Sequence, residues 1–366
     1  MSPISRRNIL KGLGAGAGLA AGLPAQASRA AGKDAGDAIS WRMVSSWPRN
    51  LPGPGMTADR LAKRITAMSR GRLKIRLYAA GELVPALQAF DAVSVGTAEM
   101  AHTASFFWAG KMPAAAYFTA TPFGLTPTEH QAWIYHGGGQ ALWDELYGAF
   151  GIKPFMAGNT GGSMGGWFKR EIHSLEDMKG LKYRMPGLGG EVVHRLGATP
   201  VLLPPSEILP GLQSGLIDGA EFLGPWSDLA LGFHKVAPYY YTPGFHEPNG
   251  TGECLISRKA WDGLPEDLQE VIRAACAAED TYSLAETEWN NAVALKTLTE
   301  KHRISVRTFP ADLLAAARIE ATEVMLDFSR RGGLDKRIYQ SYEAARKRAI
   351  DWAAISATPF INSRIG

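Results

Sequence analysis

Apolar positions along the chain change period in a regular order. Trp41 to Ser45 is a short apolar-rich run, and Arg72 to Tyr78 alternates, with Leu73, Ile75 and Leu77 on one side. Between them, Leu61, Ile65 and Met68 recur at helical spacing over Thr57–Met68, with Thr57 at the N-cap. A second helix is expected over Pro85–Val95, with Leu87, Phe90 and Val93 inward, and a third strand over Ala98–His102. The order is β-α-β-α-β. It returns later as strand Leu181–Met185, helix Gly190–Leu196, strand Pro200–Leu203, helix Ser206–Gln213 and closing strand Leu216–Phe222. The approaches to the two last strands also match, Gly96-Thr97-Ala98-Glu99-Met100-Ala101 against Gly215-Leu216-Ile217-Asp218-Gly219-Ala220.

Repeated alternation predicts an α/β fold of two lobes, each a parallel sheet flanked by helices, with strand ends facing across a cleft. Lobe 1 is expected over 40–158 with 249–264 returning to it, and lobe 2 over 159–245 with 303–330. Residues 265–302 contain no Pro after Pro265 and no Gly, so one unusually long helix is expected to span both lobes; two helices broken near Asp280-Thr281 are the alternative. Ile304–Phe309 reads as a short strand, Ala311–Arg330 as a helix, and 334–366 as a C-terminal helix, ending near Ile355, and a short tail.

The first residues change the reading of charge. Arg6-Arg7 precede an uncharged run of small and apolar residues, Gly12–Leu23, and then Ala25-Gln26-Ala27. This predicts a twin-arginine signal peptide over 1–27, with an ordinary export signal as the alternative. The run is too short to span a bilayer. Its removal takes away Arg6, Arg7 and Lys11 from 39 basic residues, leaving 36 against 35 acidic ones, so the formal +4 becomes +1. A near-neutral chain argues against a nucleic-acid partner. Export permits a disulfide between the two cysteines, Cys254 and Cys276; the simpler expectation is two buried free thiols.

Enzyme motifs are sparse. Gly161-Gly162-Ser163-Met164-Gly165 fits G-x-S-x-G, but a nucleophile elbow needs a helix next, and Gly166-Trp167-Phe168 reads as strand. No H-E-x-x-H, C-x-x-C or complete P-loop occurs, and His102 and His136 stand apart as ligand candidates. Arg184 ends a predicted strand before Pro186-Gly187, where parallel sheets bind ligands, and a guanidinium there can grip a carboxylate. A solvated surface arginine is the plain alternative. Glu221, before Phe222 and Trp226, makes sense beside an anion if it holds a cation; a helix cap is the alternative. Phe106, Phe107, Trp108, Trp47, Phe245 and Trp226 are candidate pocket walls, with core packing as the default.

Gly81-Glu82-Leu83-Val84-Pro85, Tyr135-His136-Gly137-Gly138-Gly139, Gly158-Asn159-Thr160-Gly161, Met164-Gly165-Gly166-Trp167-Phe168, Lys235-Val236-Ala237-Pro238-Tyr239-Tyr240-Tyr241 and Pro243-Gly244 occur in that order. Together they resemble the periplasmic solute-binding subunit of a tripartite ATP-independent periplasmic (TRAP) transporter of the DctP family. The resemblance is strongest to the 2-oxo-acid branch.

The resemblance implies a type II-like, two-lobed binding protein joined by hinge strands, not an enzyme, that delivers a small 2-oxo or 2-hydroxy monocarboxylate to integral membrane subunits. It implies that Arg184 pairs with the carboxylate and that Asn159 donates to it. Glu221, the Phe222 carbonyl and Glu247 would hold a cation, Na⁺ or Ca²⁺, that bridges ligand and protein. Phe107, Trp108 and Trp226 would close the walls. Close relatives carry a glutamine at the place of Ser163 that touches cation and ligand; the shorter serine leaves cation and substrate open. A homodimer through a swapped C-terminal helix stays open too, because the tail is short. The rival readings are a receptor for a different organic acid, a sensor-linked receptor, and a hydrolase using Ser163.

Overall fold

Residues 38–365 are described by a computed structural model, and the leader expected over 1–27 lies outside them. The alternating segments fold as expected near the start. β1 (Ile39–Ser45) pairs in parallel with β2 (Leu73–Tyr78) on one side and β3 (Met100–Thr103) on the other. Helix α1 (Pro54–Met68) lays Ala58, Leu61 and Ile65 against the sheet, whereas Met68, at the end of the helix, is exposed. The second expected helix is shorter: a single 3₁₀ turn, Ala86–Gln88, precedes α2 (Ala89–Ser94), which buries Phe90 and Val93. Two helices follow, α3 (Pro127–His136) and α4 (Gly139–Gly148), and then β4 (Ile152–Asn159).

The second lobe repeats the pattern with β5 (Gly166–Phe168), β6 (Lys182–Arg184), α5 (Gly187–Arg195), β7 (Thr199–Val201), α6 (Pro205–Ser214), β8 (Gly219–Ala220), α7 (Pro225–Leu231) and β9 (Tyr239–Thr242). The expected seven-residue closing strand is reduced to Gly219–Ala220. Ile217 N–H still bonds back to Gly211 in α6, and beyond Ala220 the Leu223 carbonyl is drawn off to Met164 N–H. Those competing partners leave the sheet only two residues.

The chain then returns to the first lobe as β10 (Thr251–Ser257). The sheets run β2-β1-β3-β10-β4 and, with β11 (Ser305–Thr308), β11-β9-β5-β8-β6-β7. Neither is purely parallel, which corrects the expectation. β10 and β5 are antiparallel to both of their neighbours. Each is fed from the other lobe, so it enters its sheet from the opposite end. The two segments that cross between lobes are bonded to each other: Thr160 N–H to Gly250 O (2.9 Å), Gly250 N–H to Gly161 O (3.0 Å) and Ser163 N–H to Glu247 O (2.9 Å).

After α8 (Arg258–Asp262), helix α9 runs unbroken over Glu266–Lys296 and ends in a π-turn, Thr297–Lys301. Its 31 residues extend roughly 46 Å at 1.5 Å each. Acidic Glu266 and Asp267 open it and Lys296 closes it, each matched to the helix dipole. No break occurs at Asp280-Thr281. The helix packs on β4 and α1 of the first lobe and on α7 of the second. Buried Glu279 fixes it to α1 through Arg60 (2.6 Å) and Arg64 (3.3 Å). Helices α10 (Ala311–Arg331) and α11 (Gly333–Ala353) follow. The expected tail is not irregular: Ala357–Ile365 forms α12, with Pro359 in its first turn, where a missing N–H costs nothing.

Cys254 on β10 and Cys276 on α9 are free and buried. Beside Cys254, the buried Glu253 accepts Trp108 Nε1–H (2.6 Å) and Tyr147 O–H (2.9 Å). Burial still pushes its carboxyl up to about 8. The folded state therefore keeps a proton that the unfolded chain releases from about pH 4.5 upward, so this group makes stability fall as pH rises to about 8. Buried Asp228 and Asp280, raised to about 7 and about 6, act in the same direction. Buried His102 and His130, lowered to about 4, withdraw stability as pH falls from 6.5. Urea unfolding of Glu253→Gln at a series of pH values should give a flatter profile between pH 4.5 and 8 than wild type; an unchanged slope would show that Glu253 ionises freely in the fold.

Candidate functional site

Two loops bring the charged groups together. Arg184 is the last residue of β6, and Glu221 follows β8, its neighbour in the sheet. The Arg184 Nη1 donates to the Glu221 carbonyl (2.9 Å) and to Glu221 Oε1 (2.5 Å), while Nε donates to the Leu203 carbonyl (3.2 Å). Arg184 Nη2 has no hydrogen-bond partner among the described residues. Both side chains are buried, at 2% and 0% exposure, so the solvated-arginine alternative is set aside. The Phe222 ring lies 5.7 Å from the guanidinium carbon.

The second loop is Phe245-His246-Glu247, in the crossing segment. His246 Nε2 lies 3.0 Å from Glu221 Oε2, so the Glu221 carboxylate is held on one oxygen by Arg184 and on the other by His246. Glu247 is buried with no ion pair among the described residues. Burial, and then the charge of Glu221, pushes its carboxyl well above the usual range, with Arg184 opposing. A ring nitrogen of His246 and carboxylate oxygens of Glu221 and Glu247 lie within 4.8 Å of one another. Two buried polar atoms beside them, Ser163 Oγ and His246 Nδ1, have no partner among the described residues. Buried polar atoms are ordinarily paired, so this set of two carboxylates, a hydroxyl and an imidazole fits a cation.

Glu247 also belongs to the wall of a small interlobe cavity of about 30 Å³, with Trp47, Thr57, His102, Phe106, Asn159 and Leu223 around it. Arg184 and Glu221 are not on that wall. Trp47 is held by Nε1–H to His102 Nδ1 (2.8 Å), and His102 Nε2 bonds the Ala157 carbonyl (2.8 Å), so the ring carries its proton on Nε2. Both nitrogens are used, which leaves His102 no lone pair for a ligand. His136, the other candidate, is exposed at the end of α3.

Several expected contacts change. Asn159 lines the cavity, but its amide donates to Asn249 Oδ1 (2.8 Å) and Thr251 Oγ1 (3.3 Å) and its carbonyl accepts Gly161 N–H (2.9 Å). Its donors tie the crossing segments together and are not free for a ligand. Trp108 packs on Phe90 with Nε1 on Glu253, inside the first lobe. Phe107 packs against Trp47 at 5.9 Å, and Phe106, not Phe107, reaches the cavity. Trp226 starts α7, half-buried, with its N–H on Asn291 of α9, and is not on the wall. Ser163 is followed by strand β5 and no helix. His246 and Leu223 escaped sequence reasoning; the one available signal for His246 was its place between Phe245 and Glu247, both singled out.

Away from the crossing segments, the lobes touch across the cleft. Ser227 Oγ, in the first turn of α7, donates to the Pro52 carbonyl ahead of α1 (2.9 Å). A Cβ on Gly187 would fall 2.9 Å from the Phe106 Cβ.

Residues 44–331 match the profile of a family described as bacterial extracellular solute-binding protein, family 7 (DctP). The chain is similar to a monocarboxylate 2-oxoacid-binding periplasmic protein of a Nostoc species, 40% identical over 88% of each chain. It is similar in structure to a TRAP periplasmic solute-binding protein of Pseudoalteromonas atlantica with bound sodium and pyruvate. The TM-score is 0.86 at 38% identity, covering 89% of this chain and 99% of that one. It is similar also to a TRAP transporter solute-binding protein of Bordetella bronchiseptica with calcium and picolinate, TM-score 0.87 at 36% identity, covering 90% and 97%.

Proposed function

From the premise that this chain belongs to the bacterial extracellular solute-binding proteins of family 7, we propose that it captures a small 2-oxo or 2-hydroxy monocarboxylate together with a cation and hands it to the membrane subunits of a TRAP transporter. The observation that carries this reading is the buried Arg184–Glu221 pair with a second buried carboxylate, Glu247, on the wall of a cavity between two lobes. Beside that wall, a single buried arginine is set among two buried acids. An added anion is tolerable there only if a cation comes with it.

In this reading the free Nη2 of Arg184 takes the ligand carboxylate by a charge-assisted hydrogen bond. Glu221, the Phe222 carbonyl and Glu247 would hold the cation, which supplies positive charge to the carboxylate and the 2-oxygen. Ser163 is close enough to Glu247 to join that shell, bonded to it through the backbone. Trp47 and Phe106 form the apolar walls, and Leu223 faces them. Closure of the lobes removes the ligand from water and creates the one surface the membrane subunits meet. The twin-arginine leader expected from the sequence and the family's extracellular character support a periplasmic location. Among the described residues no helix is long and apolar enough to cross a membrane.

Calorimetric titration tests the proposal. Pyruvate and 2-oxobutyrate, in buffer containing sodium and calcium, should bind with a dissociation constant of about 1 μM or tighter, near −8 kcal/mol. Succinate should give no heat, because its second carboxylate would meet Glu221 and Glu247. Binding of succinate in preference to every monocarboxylate overturns it.

A further inference from the structure

His246 does more than neighbour the acids. Its Nε2 is within hydrogen-bond distance of Glu221 Oε2, and its Nδ1 is buried with no partner among the described residues. The ring is 4% exposed, and Ser163 Oγ, likewise unpaired, is in a residue 8% exposed. Histidines that ligate metals characteristically give their other N–H to a carboxylate, which fixes the tautomer and turns the free nitrogen toward the ion. Here Glu221 occupies the place of that carboxylate, and Arg184 on its other oxygen holds it still.

We infer that His246 is a nitrogen ligand of the cation site, through Nδ1, alongside Glu247, so that the site takes a borderline divalent cation such as Mn²⁺ or Co²⁺ at least as tightly as Ca²⁺. This rests on the cation-assisted capture proposed above and extends it to a ligand of different chemistry. An all-oxygen shell suits Na⁺ and Ca²⁺ and discriminates little in favour of later metals. One imidazole changes the order, because affinity for a mixed nitrogen and oxygen set rises from Mn²⁺ through Co²⁺ and Ni²⁺. The imidazole and both acids are gathered in one buried place, each residue offering a donor atom within 4.8 Å of the others, and Nδ1 is the His246 nitrogen that Glu221 leaves free.

The experiment uses the full mature chain stripped with chelator and loaded with Mn²⁺ alone, with and without pyruvate. Pulsed electron paramagnetic resonance should show nitrogen modulation from a directly bound imidazole. The modulation should vanish in His246→Asn, which keeps an N–H for Glu221. Co²⁺ should bind wild type at least as tightly as Ca²⁺ and lose about tenfold in the variant, while Ca²⁺ affinity changes less. Bound Mn²⁺ without nitrogen modulation overturns the inference, as does a Co²⁺ to Ca²⁺ preference that the variant leaves untouched. Either result, with pyruvate still binding in calcium, leaves the carboxylate receptor standing. Failure of every acid with every cation sinks that reading instead.

Discussion

Arg184→Met will destroy acid binding and remove about 3–5 kcal/mol of folding stability, the usual cost of orphaning one member of a buried ion pair. Glu221 would lose its 2.5 Å partner while Glu247 stayed charged or protonated beside it, both cut off from water. The two losses can be separated. The double variant Arg184→Met, Glu221→Gln removes the unpaired charge and should recover much of the urea midpoint. It should recover no pyruvate binding, because the anchor itself is gone. Calorimetry and urea unfolding on the three proteins read both quantities. Wild-type affinity in the single variant would remove Arg184 from the site.

Gly244→Ala is the second large effect, and it acts through the backbone. A Cβ there would fall 2.0 Å from the Ser163 carbonyl oxygen and 2.5 Å from its carbon. The two crossing segments pass so closely that no rotamer can relieve the overlap, and main chain must move. The expected cost is about 3 kcal/mol or more, at the upper end for overpacking. The displaced segment also carries His246 and Glu247, so calcium-supported pyruvate binding should weaken along with the melting temperature. Gly110→Ala serves as control, since nothing lies within 4 Å of its Cβ position. Equal melting temperatures for the two variants would show that the crossing is looser than its geometry.

Periodicity made the lobes legible because each strand-helix unit satisfies its own local rules: α1 buries the residues its spacing selects, and β1, β2 and β3 stand where alternation puts them. The antiparallel strands β5 and β10 were not legible as such. Their direction is set by which lobe feeds them, a fact about chain path that no local pattern carries. The same division holds at the site. Arg184 and Glu221 could be picked out because charge at the end of an apolar strand is locally conspicuous, whereas Glu247 was reached only through the family resemblance. Asn159 was visible, but its engagement by Asn249 and Thr251 depends on residues some ninety positions away, so its spent donors were hidden. Trp108 and Trp226 show the converse error. An aromatic near a strand end is a candidate wall, and only packing decides whether it turns to the cleft or, like Trp108, to Phe90 and Glu253.

The helix Glu266–Lys296 is one piece, seated on β4 and α1 at one end and on α7 at the other. A stiff rod pinned to both jaws prevents them from sliding apart along that flank. What freedom exists is a swing, with bending concentrated in the short spans near Thr160 and Gly250. The gape must then widen on the margin away from that helix; the Ser227 contact to the Pro52 carbonyl sits beside the rod, because α1 and α7 both pack on α9. A force that drew the jaws apart would find its longest lever arm on the margin opposite the rod.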